Sequence, residues 1–186
     1  MKKFLVMAAM VLSSVGAFAQ YKAGDITIQP KVGFNASNVT HADGADFKAG
    51  LLIGAEAEFH FQRWFGLSVG AMYSQQGYKF KDAAGNHNAN MDYLAVPVLA
   101  NFYVAKGLAL KTGLQPSFNV NSTNGWNVNT VDLSLPMGIS YEFNGFCFDA
   151  RYNLGLTDVF KNDARDYSDA AKHEVLSFTF GYKFKL

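Results

Sequence analysis

Three of the four charged residues in one short segment could form ion pairs with one another. Glu142, Asp149 and Arg151 all lie between Val131 and Leu156, among mostly apolar and small residues. A guanidinium and a carboxylate can be buried together, whereas either charge alone in a protein interior carries a large desolvation cost. The chemistry that these residue types indicate is charge pairing away from water, provided that the fold brings them to one face.

A second set of residues, near the C-terminus, has the types found in hydrolytic sites. His173, Glu174 and Ser177 supply an imidazole, a carboxylate and a hydroxyl, which together can activate a nucleophile. In an alternating strand, however, Glu174 would lie on the face opposite His173, and no nucleophile motif surrounds Ser177. We therefore predict no catalytic residues and no enzyme activity.

The other histidines lack the spacing of a metal site. His41 and His87 stand alone in predicted loops, and His60 lies near the end of a predicted strand. Cys147 is the single cysteine, so it cannot form an internal disulfide. We predict no metal and no cofactor.

The charged residues of the first segment lie on a predicted β-hairpin. Apolar residues alternate with polar or small ones from Val131 to Phe143, and the alternation resumes at Phe146. Between them stands Asn144-Gly145, the favoured pair for a type I′ turn, because both positions tolerate positive φ. On one face this turn pairs Phe143 with Phe146, Tyr141 with Phe148, Ile139 with Ala150, and Met137 with Tyr152. On the other it pairs Glu142 with Cys147, Ser140 with Asp149, and Gly138 with Arg151.

The polar face of this hairpin predicts how its charges pair. Gly138 opposite Arg151 leaves room for the guanidinium, and Asp149 lies two residues away on the same face. We therefore expect an ion pair between Arg151 and Asp149, with Lys183 on the neighbouring last strand. Each strand alternates over about ten residues, the length that crosses a bilayer when tilted. A soluble sandwich strand also alternates, over about five or six residues, and would leave these charges in solvent.

The N-terminus has the features of an export signal. Lys2 and Lys3 precede an apolar run from Phe4 to Val15, and Ala17-Phe18-Ala19 matches a small-x-small cleavage site. We predict a signal peptide over residues 1–19 and one domain over residues 20–186. Removing these two of the 16 basic residues leaves 14 against 15 acidic ones and changes the formal charge from +1 to −1. This near-neutral balance gives no electrostatic reason to expect nucleic-acid binding.

Alternating segments like those of the hairpin recur along the chain. We predict eight strands, at Ile26–Ser37, Phe47–Phe61, Trp64–Tyr78, Tyr93–Val104, Leu108–Asn119, Val131–Phe143, Phe146–Leu156 and Val175–Leu186. The predicted connections alternate between long and short, and residues 79–91 form one of the long loops. The fourth strand is apolar on both faces, and we favour an outward position for Leu94, Val96, Val98 and Phe102.

This alternation of long and short connections predicts a transmembrane β-barrel. Outer-membrane barrels have an even number of antiparallel strands, short periplasmic turns and longer extracellular loops. Closure also removes unpaired strand edges, which hydrocarbon does not tolerate. The expected fold is all-β: an eight-stranded, antiparallel, up-and-down barrel in the outer membrane, with both termini in the periplasm.

An eight-stranded barrel has an interior wide enough only for side chains. The residues predicted to point inward carry both signs of charge and include one glutamine: Lys31, Glu56, Glu58, Lys111, Gln115, Asp132, Glu142, Asp149, Arg151 and Lys183. We interpret the charged ones as a lumen network that holds the barrel together. A transport path is the alternative interpretation.

The mature sequence resembles the PorT-like outer-membrane β-barrels of Gram-negative bacteria, often called porin family proteins. The resemblance covers nearly all of it and is most evident in Tyr93–Val104, Gly107–Phe118, Phe148–Phe160 and Phe178–Phe184. The run Arg151–Leu156 looks like the family's signature before its last long loop. The chain ends in Leu186, where barrel proteins commonly end in an aromatic residue. Either Phe184 serves the assembly machinery instead, or recognition is looser.

The resemblance implies an outer-membrane barrel more strongly than it implies a function. The family's name-giving member takes part in protein secretion, and no catalytic residues are shared. Three hypotheses stay open: a plugged barrel with a structural or interaction role, whose loops carry Phe80, Trp126 and Tyr167; a narrow porin-like diffusion channel; and an accessory component of a protein-secretion system. A lipid-modifying enzyme has the weakest support. The expected partners are outer-membrane lipids, the barrel-assembly machinery and a secretion-complex or extracellular protein, with no nucleic acid.

Overall fold

The computed structural model describes residues 21–39, 46–82, 85–122, 131–157 and 173–186. The predicted signal peptide and His41, Trp126 and Tyr167 lie outside the described residues. At some strand ends only the backbone is described, and this applies to Phe80, His87 and His173. No helix in the described ranges is long and apolar enough to cross a membrane.

The described residues form one closed antiparallel sheet. Its strands are β1 (Ile26–Val39), β2 (Asp46–Gln62), β3 (Phe65–Asp82), β4 (Gly85–Ala95), β5 (Val98–Ala105), β6 (Leu108–Ser122), β7 (Val131–Phe143), β8 (Phe146–Gly155), β9 (His173–Tyr182) and β10 (Phe184–Lys185). β4 and β5 both lie between β3 and β6 and make one passage across the barrel, and β9 and β10 both pair with β1. The chain therefore passes along the barrel wall eight times, and the sheet closes on itself. This confirms the predicted eight-stranded barrel.

Two of the eight passages are interrupted, which the sequence did not predict. Val96 and Pro97 separate β4 from β5, because proline has no N–H to donate to a ladder. The Gly70 N–H still donates to the Pro97 carbonyl at 2.9 Å, so the interruption stays bonded to β3. The last passage is divided at Lys183, whose N–H donates to the Gly145 carbonyl at 2.7 Å.

The central hairpin has the predicted register. Asn144 and Gly145 both have positive φ, 51° and 84°, as a type I′ turn requires. Every predicted pair, from the turn to Met137 opposite Tyr152, is present. The prediction succeeds because a two-residue turn fixes the register from local sequence alone.

The long loop predicted at residues 79–91 is wrong. β3 continues to Asp82 and β4 begins at Gly85, with Tyr78 opposite Ala89. The polar composition misled because a ladder is held by backbone N–H and C=O groups, which every non-proline residue supplies. Most other strand ends differ from the prediction by one to three residues.

Alternation turns apolar side chains outward and polar side chains inward around the barrel. Exposed apolar residues occur on strands throughout the sheet, for example Val32, Ile53, Val69, Leu114, Ile139 and Phe178. In the fourth passage Leu94, Val98 and Phe102 point outward as predicted, whereas Val96 is half-buried at the interruption. An exposed apolar surface of this extent is typical of a barrel surrounded by hydrocarbon.

One end of the barrel, which we call the turn end, holds the short turns and the last residues of the chain. The Leu186 N–H donates to the Ile26 carbonyl there at 2.9 Å. Trp64 is 58% exposed at this end, and its ring centroid lies 5.7 Å from that of Phe65 and 6.5 Å from that of Phe102. Such aromatic clusters are typical of the interface between membrane and water.

We predict that the cost of an arginine on the outer face depends on depth. Ile139 lies four residues before Phe143, the last residue of β7, which places it roughly 13 Å further along the strand. Ile139→Arg should destabilise the barrel by about 2–4 kcal/mol and Phe143→Arg by about 0–1 kcal/mol. Urea titration of the protein in lipid vesicles measures both. Equal costs at the two depths would contradict the outward assignment of this face.

Candidate functional site

The candidate functional site is the lumen, where the predicted charged residues lie. All nine predicted network residues are buried: Lys31, Glu56, Glu58, Lys111, Asp132, Glu142, Asp149, Arg151 and Lys183. Eight of these occupy two layers, and Asp132 lies apart from both. The central layer consists of Lys31, Glu56, Lys111, Asp149 and Arg151. The base layer, closer to the turn end, consists of Glu58, Glu142 and Lys183 together with Tyr21 and Tyr103.

Small residues on neighbouring strands make room for the central layer. A Cβ atom added to Gly138 would lie 2.6 Å from the Ala150 carbonyl oxygen and 3.2 Å from Cγ of Arg151. A Cβ atom added to Gly70 would lie 2.6 Å from Cγ of Glu56. Glycine at these two positions therefore allows the close approach that the long charged side chains require.

Asp149 is the carboxylate on which several strands converge. Its Oδ1 lies 2.8 Å from Nζ of Lys111, and its Oδ2 lies 3.0 Å from Nζ of Lys31. Gln29 Nε2 donates to Oδ2 at 3.1 Å, and Thr179 Oγ1 donates to the same atom at 3.4 Å. One carboxylate on β8 thus joins side chains from β1, β6 and β9.

Arg151 forms the predicted ion pair with Asp149, but it pairs more closely with Glu56 across the lumen. Arg151 Nη2 lies 2.9 Å from Glu56 Oε1 but 4.0 Å from Asp149 Oδ1. Lys31 Nζ is also 2.9 Å from Glu56, and Lys111 Nζ is 3.8 Å from it. The hairpin register places Arg151 and Asp149 on one face, but only closure of the barrel brings β2 within reach of β8.

Lys183 is the cation of the base layer. Its Nζ lies 3.0 Å from Glu58 Oε2 and 3.5 Å from Glu142 Oε2. It also donates to the Tyr103 hydroxyl at 3.1 Å, and that hydroxyl donates to Glu58 Oε1 at 2.7 Å. Lys183 therefore connects the last passage of the barrel to β2, β5 and β7.

Tyr21, which sequence reasoning missed, completes the base layer. It precedes β1, yet it is 5% exposed, and its hydroxyl donates to Glu142 Oε1 at 2.6 Å. Its ring stacks on His60, with centroids 4.0 Å apart and planes 18° apart. The sequence shows only an isolated aromatic residue between the predicted cleavage site and the first strand. This observation does not indicate where the side chain lies.

The charges of the two layers balance only when the layers are taken together. The central layer has three cations and two carboxylates, and the base layer has one cation and two carboxylates. The sum is four of each sign. Because an uncompensated charge is costly away from water, each layer depends electrostatically on the other.

Polar side chains, most of them neutral, line the lumen beyond the central layer, on the side away from the turn end. Asp132 accepts a hydrogen bond from the Thr157 hydroxyl there, and Ser134 Oγ donates to the Gln115 carbonyl at 3.3 Å. A cavity of about 20 Å³ adjoins Arg151, with room for about one or two water molecules.

Two of the residues with hydrolase-type side chains, Glu174 and Ser177, lie on opposite faces of β9. Ser177 is buried in the lumen, where its hydroxyl donates to the Arg151 backbone carbonyl at 3.2 Å. Glu174 lies on the other face of β9 and is half-buried. Among the side chains that the structure describes, no group of histidine, cysteine and carboxylates has the arrangement of a metal site.

Two groups in the segment before β1 have shifted pKa values. Burial raises the pKa of Tyr21, an effect that its hydrogen bond to Glu142 reinforces and the charge of Lys183 opposes. The Lys185 ammonium, 2.6 Å from Asp25, lowers the pKa of that carboxyl through a hydrogen bond. At neutral pH the Tyr21 phenol is therefore protonated and available as a donor.

Residues 18–161 match the family model of the outer membrane protein beta-barrel domain. The chain belongs to this family. Its location is therefore the outer membrane. No curated protein sequence matches the chain.

Solved structures of bacterial surface proteins have a similar fold. Ail, the attachment invasion locus protein of Yersinia pestis, is 16% identical, with a TM-score of 0.51 over 87% of this chain and 99% of Ail. Neisserial surface protein A is 13% identical, with a TM-score of 0.52 over 87% and 97%. OprG from Pseudomonas aeruginosa is 15% identical, with a TM-score of 0.51 over 90% and 99%. At this identity the similarity shows the eight-stranded barrel fold alone.

We predict that Glu56 and Arg151 are energetically coupled. Arg151→Leu should destabilise the barrel by about 3–5 kcal/mol, because it leaves buried carboxylates poorly compensated, and Glu56→Leu does the same to the cations. The double variant should lose less than the sum of the single losses, with a coupling energy of about 0.5–3 kcal/mol. Urea unfolding in lipid vesicles provides all three values.

The control for this cycle is the same experiment with Asp149→Leu in place of Glu56→Leu. The distance from Arg151 to Asp149 is 4.0 Å against 2.9 Å to Glu56, so the coupling to Asp149 should be smaller. A larger coupling to Asp149 would make Asp149, and not Glu56, the main partner of Arg151.

Proposed function

We propose that this outer-membrane barrel is plugged by its own side chains and acts as a structural or interaction scaffold that presents extracellular loops to a partner. The observation that carries this proposal is the ion-pair network across the lumen. Eight strands enclose an interior that side chains can fill. In the central layer, charged side chains from β1, β2, β6 and β8 contact one another.

The base layer supports the same proposal closer to the turn end. Lys183 contacts two carboxylates and a phenol hydroxyl, and the Tyr21 ring lies beside it, with Nζ 5.2 Å from the ring centroid. A solute crossing the lumen would have to displace both layers and separate their ion pairs. Separating buried ion pairs has a large free-energy cost where little water is present to solvate the charges.

The orientation of the barrel is part of the proposal. The short turns, the start of β1 and the last residues of the chain share the turn end. In outer-membrane barrels this end faces the periplasm. We therefore place both termini in the periplasm, reached after removal of a signal peptide at residues 1–19. The partners are outer-membrane lipids around the apolar face and the barrel-assembly machinery during insertion, with Phe184, half exposed on β10, as the aromatic residue for its recognition.

A narrow porin-like channel is the first alternative. The cavity beside Arg151 favours it, since it shows that polar space exists within the lumen. At about 20 Å³, however, this cavity holds about one or two waters. It supports a hydrated pocket in the plug better than a continuous path.

An accessory role in protein secretion is the second alternative. It rests on the resemblance to PorT-like barrels in segments such as Tyr93–Val104 and the run Arg151–Leu156. Purification from detergent-solubilised membranes tests it, because a stable secretion-complex partner would favour this role over a free-standing scaffold. A lipid-modifying activity has no support from Ser177, whose hydroxyl is bonded to the Arg151 carbonyl inside the lumen.

We predict that the refolded protein in a planar bilayer shows no steady conductance, only rare small events. The double variant Arg151→Gly with Glu142→Gly should conduct more, because it removes one charged side chain from each layer. The control, Ile139→Gly with Tyr141→Gly, removes comparable volume from the outer face of the same hairpin and should stay closed. Stable ion-selective steps from the unaltered protein would favour the channel instead.

A further inference from the structure

The base of the lumen holds an aromatic ring that comes from outside the sheet. Tyr21 belongs to the N-terminal segment, Tyr21–Asp25, which precedes β1 and takes no part in the ladders. The groups around its ring belong to the barrel wall: His60 on β2, Tyr103 on β5 and Glu142 on β7. The phenol side chain of Tyr21 is therefore bound by residues of the barrel wall, as a separate ligand would be.

Each part of the phenol has its own contact in this pocket. One ring contact is the stacked imidazole of His60, at a centroid distance of 4.0 Å. The Lys183 ammonium lies 5.2 Å from the ring centroid, close enough for a cation–π interaction. The ring of Tyr103 lies at 5.9 Å with its plane tilted by 57°. The hydroxyl donates to the Glu142 carboxylate at 2.6 Å.

The pocket wall is itself held in place. The His60 ring is within 3.4 Å of the Thr27 hydroxyl through Nε2. The Tyr103 hydroxyl is bonded both to Glu58 and to Lys183. Because these contacts join residues of the barrel to one another, the wall persists without Tyr21. Preorganised donors, acceptors and ring faces are the usual features of a small-molecule site.

The N-terminal segment is attached much less extensively than the wall. The Gly24 N–H donates to the His60 carbonyl at 2.8 Å, and the His60 N–H donates to the Asp25 carbonyl at 2.9 Å. The ion pair of Asp25 with Lys185 is at the surface, where such pairs contribute little. Lys22 and Ala23 are exposed. The segment can therefore detach by local opening, without loss of a strand from the barrel.

We propose that the base of the lumen is a binding pocket for a phenol ring, that Tyr21 is its resident occupant, and that a free phenol can replace Tyr21. The pocket selects a phenol over a plain benzene ring, because only a hydroxyl supplies the donor to Glu142. The inference extends the proposed plug by assigning part of it to a detachable segment, but the pocket itself does not depend on whether the lumen conducts.

Binding of p-cresol, the side chain of tyrosine as a free molecule, tests the pocket. Tyr21→Gly should lower the unfolding temperature of the barrel in detergent, and p-cresol should raise it again in a saturable way, as a ligand specific for the folded state does. Toluene has the same shape without the hydroxyl and should bind on the order of tenfold more weakly. The wild-type protein, whose pocket is filled, should respond weakly to both.

Two results would overturn the pocket. One is no stabilisation of Tyr21→Gly by p-cresol; the other is an equal response of the variant and the wild type, which indicates partition into detergent. If Tyr21→Gly does not fold, Asp25→Ala replaces it, since it removes the acceptor of the Lys22 N–H, 2.8 Å away, as well as the ion pair, and keeps Tyr21. In that variant p-cresol should accelerate amide hydrogen exchange at residues 21–24, and an unchanged exchange rate would contradict the proposal.

The conductance of the wild-type protein separates this proposal from the plug. A conducting wild type that still shows p-cresol rescue of Tyr21→Gly would refute the plug and retain the pocket. A closed wild type without rescue would retain the plug and refute the pocket. Tyr21→Phe is the matched control for the hydroxyl, because it keeps the ring stacked on His60 and removes the donor to Glu142.

Discussion

The structure depends on compensating charge inside a protein that hydrocarbon surrounds. The two layers hold four cations and four carboxylates in a lumen that eight strands keep narrow, and each is within 4 Å of a group of opposite sign. Neither layer is neutral by itself, so the central and base layers must form together. Strand alternation satisfies this requirement, because it directs every second side chain inward over the whole circumference.

Asp149 shows how this compensation also closes the barrel. The seam of the sheet lies where β1 meets β9, since these are the first strand and nearly the last. Gln29 and Lys31 come from β1 and Thr179 comes from β9, and all three contact the same carboxylate on β8. The seam is therefore bonded twice, by the backbone ladder and from inside by one buried anion. If the seam opened, no water on the lipid side could replace its backbone hydrogen bonds.

The sequence predicts local features of this fold well and contacts across the lumen poorly. The register of β7 and β8 was predictable because Asn144-Gly145 specifies a turn that fixes every pair after it. The closer partner of Arg151 was not predictable, because Glu56 lies 95 residues away in sequence and the contact depends on the curvature of a closed sheet. The polar run at 79–91 was misassigned because ladder bonds are independent of side-chain polarity. Pro97 could have indicated the interruption of the fourth passage, since it lacks an N–H.

The burial of Tyr21 is the feature that the sequence predicts least well, because nothing in its local sequence indicates that it is buried. The position of Tyr21 also shows that the two layers differ in how their members are attached to the barrel. Every member of the central layer is on a strand, so opening that layer requires the barrel wall to deform, which closed ladders resist. The base layer includes one member on a segment that no ladder holds. If any part of the two layers rearranges while the barrel stays folded, it is therefore the base layer. Gly24 is the position at which the segment turns, with φ of 91° and no atom within 4 Å of where a Cβ would stand.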